Sequence, residues 1–201
     1  MNFRMRKTAP LILIFILLFS EGFSWGEENI DLLTENLREM AAKGDGEAAF
    51  ALGLRYEFGN GVKRDPREAW YWFSLAGKKN ITGSWLYLGM KYLAGNGVKQ
   101  DRSQAKQYLQ KAALHGWPMA QSLLAGLYLE ENRPIEAAVW LQIAAEKGYP
   151  GALAQLNELR QTHPLEQDVV SRRLEGILRL MNRKGPLPRN HQAGDGPLPA
   201  P

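Results

Sequence analysis

The stretch Gly-Asn-Gly-Val-Lys-Arg-Asp at residues 59–65 returns almost unchanged, as Gly-Asn-Gly-Val-Lys-Gln-Asp, at residues 95–101. A glycine-rich loop that ends in lysine suggests phosphate binding, but a phosphate loop continues as Lys-Ser or Lys-Thr into a helix that follows a strand. Here the lysine leads instead to Asp-Pro-Arg-Glu at residues 65–68, which reads as a helix N-cap, a first-turn proline and a glutamate able to return the cap's hydrogen bond. The repeated stretch therefore predicts a turn between two helices, with its glycines in left-handed conformations.

Other residues repeat together with the two turns. Three tyrosines follow one another at intervals of 36 residues, and a small residue followed by an aromatic one recurs in each predicted second helix. The third copy is four residues shorter and has neither the glycine turn nor the capping aspartate. The positions that define the repeat are Gly53, Tyr56, Gly59, Gly61, Asp65, Trp72, Gly89, Tyr92, Gly95, Gly97, Asp101, Tyr108, Tyr128 and Trp140.

The pattern A-x-x-x-L-G-x-x-Y-x-x-G-x-G-V-x-x-D-x-x-x-A-x-x-W/Y resembles the Sel1-like repeat (SLR), a relative of the tetratricopeptide repeat. Its best instances are residues 48–80 and 84–116, and residues 120–148 form a degenerate third. Asn80 stands where the first copy would be expected to close with glycine. The resemblance implies an all-α, right-handed solenoid of antiparallel helix pairs, whose members usually act as adaptors or regulators by binding other proteins.

The sequence before and after the repeats is expected to cap the array, since exposed repeat ends are otherwise adhesive. The segment before them reads like the second helix of a pair whose first helix is missing, and the segment after them can form an amphipathic helix with an arginine-rich face. The predicted organisation is a signal peptide at 1–26, an N-terminal capping helix at 27–43, repeats at 44–160 (44–80, 81–117, 118–150 and a partial 151–160), a C-terminal capping helix at 161–183, and a disordered tail rich in proline and glycine at 184–201.

The first 26 residues have the layout of a Sec-type signal peptide. Basic residues precede an apolar run at residues 9–19, and small-residue patterns follow it near residues 22–26. The run is shorter than the ~20 residues that a spanning helix needs, which favours cleavage over an uncleaved inner-membrane anchor. The short apolar run also favours a bacterial protein, so the expected location is the periplasm.

Charge and cysteine content exclude several classes of function. Residues 27–160 carry 16 basic and 16 acidic side chains, a balance that argues against nucleic-acid binding. The chain has no cysteine, so it has no disulfide, thiolate metal site or cysteine nucleophile. We expect no cofactor, no metal and no bound small molecule.

The residues able to support catalysis are few. His115, His163 and His191 lie far apart in the sequence, and Glu130 and Glu131 adjoin each other in a predicted loop, where paired carboxylates are usually solvated. We therefore predict a non-enzymatic protein that binds a protein or peptide. The alternative is an envelope-directed hydrolase, since some SLR proteins resemble β-lactamases in activity, but those relatives are rich in cysteine.

Three aromatic residues stand at positions that the repeat does not require. Trp70 and Tyr71 belong to a run of four aromatics at residues 70–73, which cannot all face one core at about 100° per residue, and Trp85 lies on a first helix. Tryptophan and tyrosine dominate binding hot spots, so these three residues form a candidate partner-binding face. The alternative is packing between units, in which a large residue fills space left by a small one.

Overall fold

The computed structural model describes residues 25–163 and 165–184, with side chains described for 32–163 and 165–183. These residues form nine helices and no strand. The helices are α1 (Trp25–Ala42), α2 (Gly46–Phe58), α3 (Pro66–Lys78), α4 (Thr82–Ala94), α5 (Arg102–Leu114), α6 (Pro118–Glu130), α7 (Pro134–Glu146), α8 (Ala152–Thr162) and α9 (Gln167–Lys184). The predicted signal peptide, apart from its last two residues, and the predicted tail beyond residue 184 lie outside the described residues.

The helices are arranged as a solenoid of pairs. The pairs are α2 with α3, α4 with α5, and α6 with α7. Each helix from α1 to α8 contacts the next one along the chain, and α9 folds back on α7 and α5. The predicted all-α solenoid is therefore confirmed for the described part of the chain. Its buried residues form two clusters, an N-terminal one centred on the first pair and a C-terminal one centred on the third, with α4 contributing to both.

The two Gly-Asn-Gly-Val turns hold their glycines in the left-handed region. The backbone angle φ is 75° at Gly59 and 71° at Gly61, and it is 69° at Gly95 and 79° at Gly97. Glycine reaches these angles without the steric cost that a Cβ atom brings. The repeated stretch thus ends one helix and reverses the chain, as the sequence predicts.

The aspartate after the first turn makes two kinds of hydrogen bond. Its carboxylate accepts from the backbone N–H groups of Arg67 at 2.8 Å and Glu68 at 3.2 Å, while the N–H of Asp65 donates to the carbonyl of Tyr56 at 3.0 Å. The sequence predicts that Glu68 returns the cap's hydrogen bond, and this is wrong because that N–H is already used. The Glu68 carboxylate accepts instead from Nε1 of Trp72 at 3.0 Å.

The same backbone hydrogen bond closes the other two pairs. The N–H of Asp101 donates to the carbonyl of Tyr92 at 3.0 Å, and the N–H of Arg133 donates to the carbonyl of Tyr128 at 2.8 Å. The third pair reaches it with a shorter turn, in which Asn132 takes the left-handed conformation at a φ of 57°. The degenerate copy therefore keeps the closing geometry without glycine or aspartate.

Each second helix also ends on one left-handed residue before the next first helix begins. These residues are Gly44, Asn80, Gly116 and Gly148, with φ values of 92°, 62°, 89° and 75°. Asparagine tolerates this region better than most residues. Asn80 therefore adopts the same left-handed conformation as the glycines at the equivalent positions.

Close approach of helices within a pair explains the glycine before each of the first two tyrosines. A Cβ added at Gly53 would lie 2.5 Å from a ring carbon of Phe73, and one added at Gly89 would lie 2.6 Å from Leu109. The third pair has Ala125 at this position, fully buried. The small residue lets the second helix place a large side chain against the backbone of the first.

The two ends of the array differ in how well they are covered. On α1, Leu33 and Met40 are 50% and 47% exposed, whereas the residues 36 positions further on, Ala69 and Ala76, are fully buried against their first helix. At the other end, α9 places Val170 in the core and its arginines outside. The apolar face of α1 is therefore partly exposed, whereas α9 packs its apolar face against the array.

A backbone contact fixes how one unit sits on the one before it. A Cβ added at Gly97 would lie 2.0 Å from the carbonyl oxygen of Pro66, the first residue of α3. The second turn is thus seated directly on the start of the preceding second helix, and only glycine fits there.

Gly97→Ala should lower the free energy of unfolding by about 3 kcal/mol, because left-handed strain costs about 1–2 kcal/mol and a methyl group forced into a filled space adds about 1–3 kcal/mol. Gly95→Ala is the matched control, since the strain is shared but the nearest atom to its added Cβ, on Gln100, is 3.3 Å away. The control should lose about 1 kcal/mol. Urea unfolding followed by circular dichroism measures both, and equal losses would show that the seat on Pro66 adds nothing beyond backbone strain.

Candidate interaction surface

Of the three aromatics predicted to bind a partner, Trp85 lies in the core. Its side chain is 7% exposed, its Nε1 donates to the carbonyl of Gly77 at 3.3 Å, and its ring meets that of His115 with centroids 5.0 Å apart. Gln121, 36 residues further on, is fully buried and donates from Nε2 to the carbonyl of Ala113 at 3.1 Å. Both residues therefore join the start of a first helix to the end of the preceding second helix, so packing between units accounts for Trp85.

Trp70 is neither fully exposed, as a partner-binding residue would be, nor fully buried, as a core residue would be. Its ring is half-buried against the N-terminal core cluster, and its buried Nε1 has no hydrogen-bond partner in the described part of the chain. One unit later, Lys106 takes this position; it pairs with the carboxylate of Glu131 and places its ammonium 4.3 Å from the ring centre of Tyr128. In the second unit, this position therefore contacts the next unit through Lys106.

Tyr71 is the accessible member of the aromatic run. Its side chain is 48% exposed, and its ring packs edge-on against Trp72 with centroids 5.1 Å apart. Phe73 is fully buried, so the run does span from core to solvent. Trp72 and its equivalent Tyr108 are half-buried rather than core, whereas Trp140 in the third pair is buried.

The first helices carry a second accessible surface that the sequence comparison did not single out. Three positions of each first helix, spaced i, i+3 and i+7, lie on one side of the helix and are partly or fully exposed in all three pairs. Eight of these nine residues are uncharged. We call this surface the first-helix stripe: Ala51, Leu54 and Phe58 on α2; Tyr87, Met90 and Ala94 on α4; Leu123, Gly126 and Glu130 on α6.

Aromatic contacts connect the stripe across the first two pairs. Phe58 is 42% exposed and meets the ring of Tyr87 edge-on, with centroids 6.5 Å apart. Tyr87 also stacks on Phe73 with centroids 4.7 Å apart and rings 13° from parallel. Tyr87, in the middle pair of the stripe, is therefore packed directly on the core.

On the first two helix pairs, two charged residues that flank the stripe form an ion pair with each other. Lys91 on α4 is almost fully buried and forms an ion pair with the Glu57 carboxylate on α2. Burial, with a smaller contribution from the Glu57 charge, raises the pKa of the Tyr87 hydroxyl, so it stays a neutral donor at physiological pH. This part of the surface thus offers apolar area without net charge.

The stripe could have been predicted from the sequence by asking which helices are apolar on more than one side. The first helices α4 and α6 are apolar on nearly all sides, and a helix apolar all round usually has more than one partner. Comparison between units hides this, because the side chains at stripe positions differ in size from copy to copy. What they share is the lack of charge.

The structure places the histidines and acidic residues that the sequence offered for catalysis or metal binding. No group of three or more histidine or acidic side chains among the described residues could hold a metal ion. His115 bonds through Nδ1 to the Lys111 carbonyl at 2.9 Å, and His163 contacts Thr162; His191 lies outside the described residues. Glu130 forms an exposed ion pair with Arg102, and Glu131 pairs with Lys106.

Two short sequences match the spacing of hydrolase motifs. Ser-Gln-Ala-Lys at residues 103–106 has the Ser-x-x-Lys spacing, but Ser103 is exposed and the Lys106 ammonium is engaged by Glu131. Gly-Phe-Ser-Trp-Gly at residues 22–26 has the G-x-S-x-G spacing and falls within the predicted signal peptide.

No helix in the described part of the chain is both long and apolar enough to span a membrane.

Trp85→Ala should lower the free energy of unfolding by about 3 kcal/mol, since truncating a buried tryptophan costs about 3–5 kcal/mol. Trp85→Gln copies Gln121 and should recover part of that loss, because the amide can reach the Gly77 carbonyl. Tyr71→Gln copies Gln107 of the second unit and should change stability by less than about 0.5 kcal/mol. Thermal unfolding ranks the three variants, and a Trp85→Ala protein as stable as Tyr71→Gln would return Trp85 to the list of partner-binding residues.

Comparison with known proteins gives a consistent result. The sequence model of the Sel1 repeat matches residues 46–81, 86–117 and 119–149. A Sel1 repeat protein from Oxalobacter formigenes is 30% identical, with a TM-score of 0.55 over 62% of this chain and 96% of that structure. A protective antigen with an SLR fold, present in uropathogenic Escherichia coli strains, is 30% identical with a TM-score of 0.61 over 76% of this chain. This chain spans 33% of the length of that antigen. No curated protein matches the chain.

Proposed function

Because the chain belongs to the Sel1 repeat family, we propose that it is an exported adaptor or regulator that binds another protein in the bacterial cell envelope. Sel1 repeat proteins generally mediate protein–protein interactions and are typically non-enzymatic. The observation that carries the proposal is the first-helix stripe. It is an ordered, nearly uncharged surface that runs across three units and that the core of the solenoid leaves partly exposed.

The composition of the stripe suits a protein partner. Phe58 and Tyr87 offer aromatic area at low conformational cost, and Met90 adds a flexible side chain that adapts to different shapes. Since Glu57 and Lys91 already pair with each other, docking an apolar surface here would leave neither charge newly unpaired. Tyr71, on the second helix α3, is the accessible alternative to the stripe.

The proposed location rests on the sequence at residues 4–26 and on the absence of cysteine, which suits a protein stabilised by packing alone. If the signal is cleaved, mass spectrometry of the protein recovered from the periplasmic fraction should give a new N-terminus near residues 25–27. Recovery of the intact N-terminus in the membrane fraction would instead establish the anchored form.

The binding surface can be tested by crosslinking in cells with affinity-tagged protein. Phe58→Glu places on the stripe the residue that the third unit has naturally at Glu130, so the solenoid should tolerate it. A glutamate in an apolar contact must lose its hydration, and we expect recovery of the wild-type partners to fall about tenfold or more. Tyr71→Gln is the matched control on the other surface and should leave recovery within about twofold.

Circular dichroism and thermal unfolding must first show that both variants fold like the wild type. Loss of the partner with Tyr71→Gln and not with Phe58→Glu would move the docking surface to α3. If the wild type crosslinks to no specific protein at several expression levels, the adaptor proposal fails.

A further inference from the structure

An open pocket of about 280 Å³ lies where the turn between α6 and α7 meets α8. It contains none of the residues of the first-helix stripe, but Leu129 in its wall directly precedes Glu130, the last stripe residue on α6. Its lining combines apolar side chains with polar ones and one carboxylate, that of Glu158.

The pocket continues the first-helix stripe onto the partial fourth unit. Gly116 before α6 and Gly148 before α8 are both left-handed and lie 32 residues apart. The same offset carries the stripe positions 123, 126 and 130 to Gln155, Glu158 and Thr162, and all three of these residues line the pocket. The buried residues of the two helices confirm the alignment, because they follow one another at this offset: Ala120 and Ala152, Leu124 and Leu156, Leu127 and Leu159.

Apolar side chains form one part of the pocket. Leu129 is 40% exposed beside the turn, whereas Leu159 on α8 is only 4% exposed. Pro134, the first residue of α7, is half-buried and lines the same pocket. A side chain that enters here can therefore bury a hydrocarbon stem against these three residues, as lysine and arginine do when they lie along apolar surfaces.

Glu158 gives the pocket a negative charge that nothing nearby neutralises. It is exposed and forms no ion pair with any residue whose side chain is described. Among the described residues that line the pocket there is no lysine or arginine, and Arg160 lies about 200° around α8 from Glu158, at about 100° per residue. The charged side chains near the adjoining turn are already paired, Glu130 with Arg102, Glu131 with Lys106 and Arg133 with Glu136. The pocket is therefore complementary to a positive charge.

We propose that this pocket binds a basic side chain, lysine or arginine, of the partner that docks on the stripe, with its stem against Leu129 and Leu159 and its charged end paired with Glu158. The side-chain amides of Asn132 and Gln155 also line the pocket, and their oxygens can accept further hydrogen bonds from the basic group. The inference rests on the proposed function, since it takes the ligand to be part of a protein. It also gives the docked segment a direction, apolar along the first three units and basic where it reaches the fourth.

Peptide titration of the full-length mature chain, labelled with ¹⁵N for NMR, tests the proposal. The probe is acetyl-Leu-Arg-Leu-amide, and its control is acetyl-Leu-citrulline-Leu-amide, which keeps the shape of arginine and lacks its charge. We expect the probe to shift the amide signals of residues 129–133 and 155–163 with a Kd on the order of 1 mM, and the control to bind about fivefold more weakly. Added salt should weaken binding of the probe, because the Glu158 carboxylate is exposed.

Two substitutions of exposed carboxylates test the role of Glu158. Glu158→Gln should weaken binding of the arginine probe about fivefold and leave the affinity of the citrulline peptide within about twofold. Glu146→Gln is the matched control, because it removes an exposed carboxylate from α7 that does not line the pocket, and it should leave the affinity of the probe within about twofold. No shift at these amides up to about 10 mM probe, equal affinity for the two peptides, or equal losses with the two variants would overturn the proposal.

The result can be separated from that of the crosslinking experiment. If the probe fails to bind while crosslinking through the stripe succeeds, only the pocket inference is lost. If the probe binds but no partner is crosslinked to the wild type, the pocket recognises the predicted chemistry and the adaptor function is what fails.

Discussion

In each of the three helix pairs, one backbone hydrogen bond joins the residue just before the second helix to the tyrosine near the end of the first. Asp65, Asp101 and Arg133 are the donors, and Tyr56, Tyr92 and Tyr128 provide the carbonyls. This bond sets the distance between the helices at the turn, and the small residue three positions before each tyrosine then decides how closely they approach. The remaining packing of a pair is built on these two constraints.

The side chains around this bond differ from unit to unit while the bond itself is kept. Aspartate adds a helix cap in the first two pairs, whereas Arg133 in the third makes no side-chain cap and instead pairs with Glu136. Glu136 also receives Arg173 from α9 at 3.5 Å. Burial by itself would raise the pKa of this carboxyl, but the hydrogen bond from Arg133 and the two nearby cations lower it overall. The degenerate unit thus lacks a side-chain cap, and Glu136, the partner of Arg133, also joins this unit to the last helix.

Sequence reasoning predicted the parts of this structure that depend on local chemistry. The left-handed glycines and the Asp65 cap follow from the residues of a single turn, so the first or the second unit is enough to predict them. The role of Trp85 depends on a carbonyl in the preceding unit, eight residues away in the sequence and across a turn. Because glutamine at 121 makes the same bond with a different side chain, aligning the units suggested that nothing was required there.

Gly97 packs against the carbonyl group of Pro66, the first residue of α3, so a backbone contact sets the spacing between the first two units. A turn whose glycine rests on a neighbour's carbonyl cannot slide along that neighbour by one residue without a collision, so the length of the segment between Pro66 and Gly97 is held fixed. The third unit, with its shorter turn, replaces this contact by ion pairs from α5 to Glu130 and Glu131, which tolerate displacement. Adding or removing a whole unit of 36 residues would keep a contact of this kind in register, whereas adding or removing a few residues would displace it.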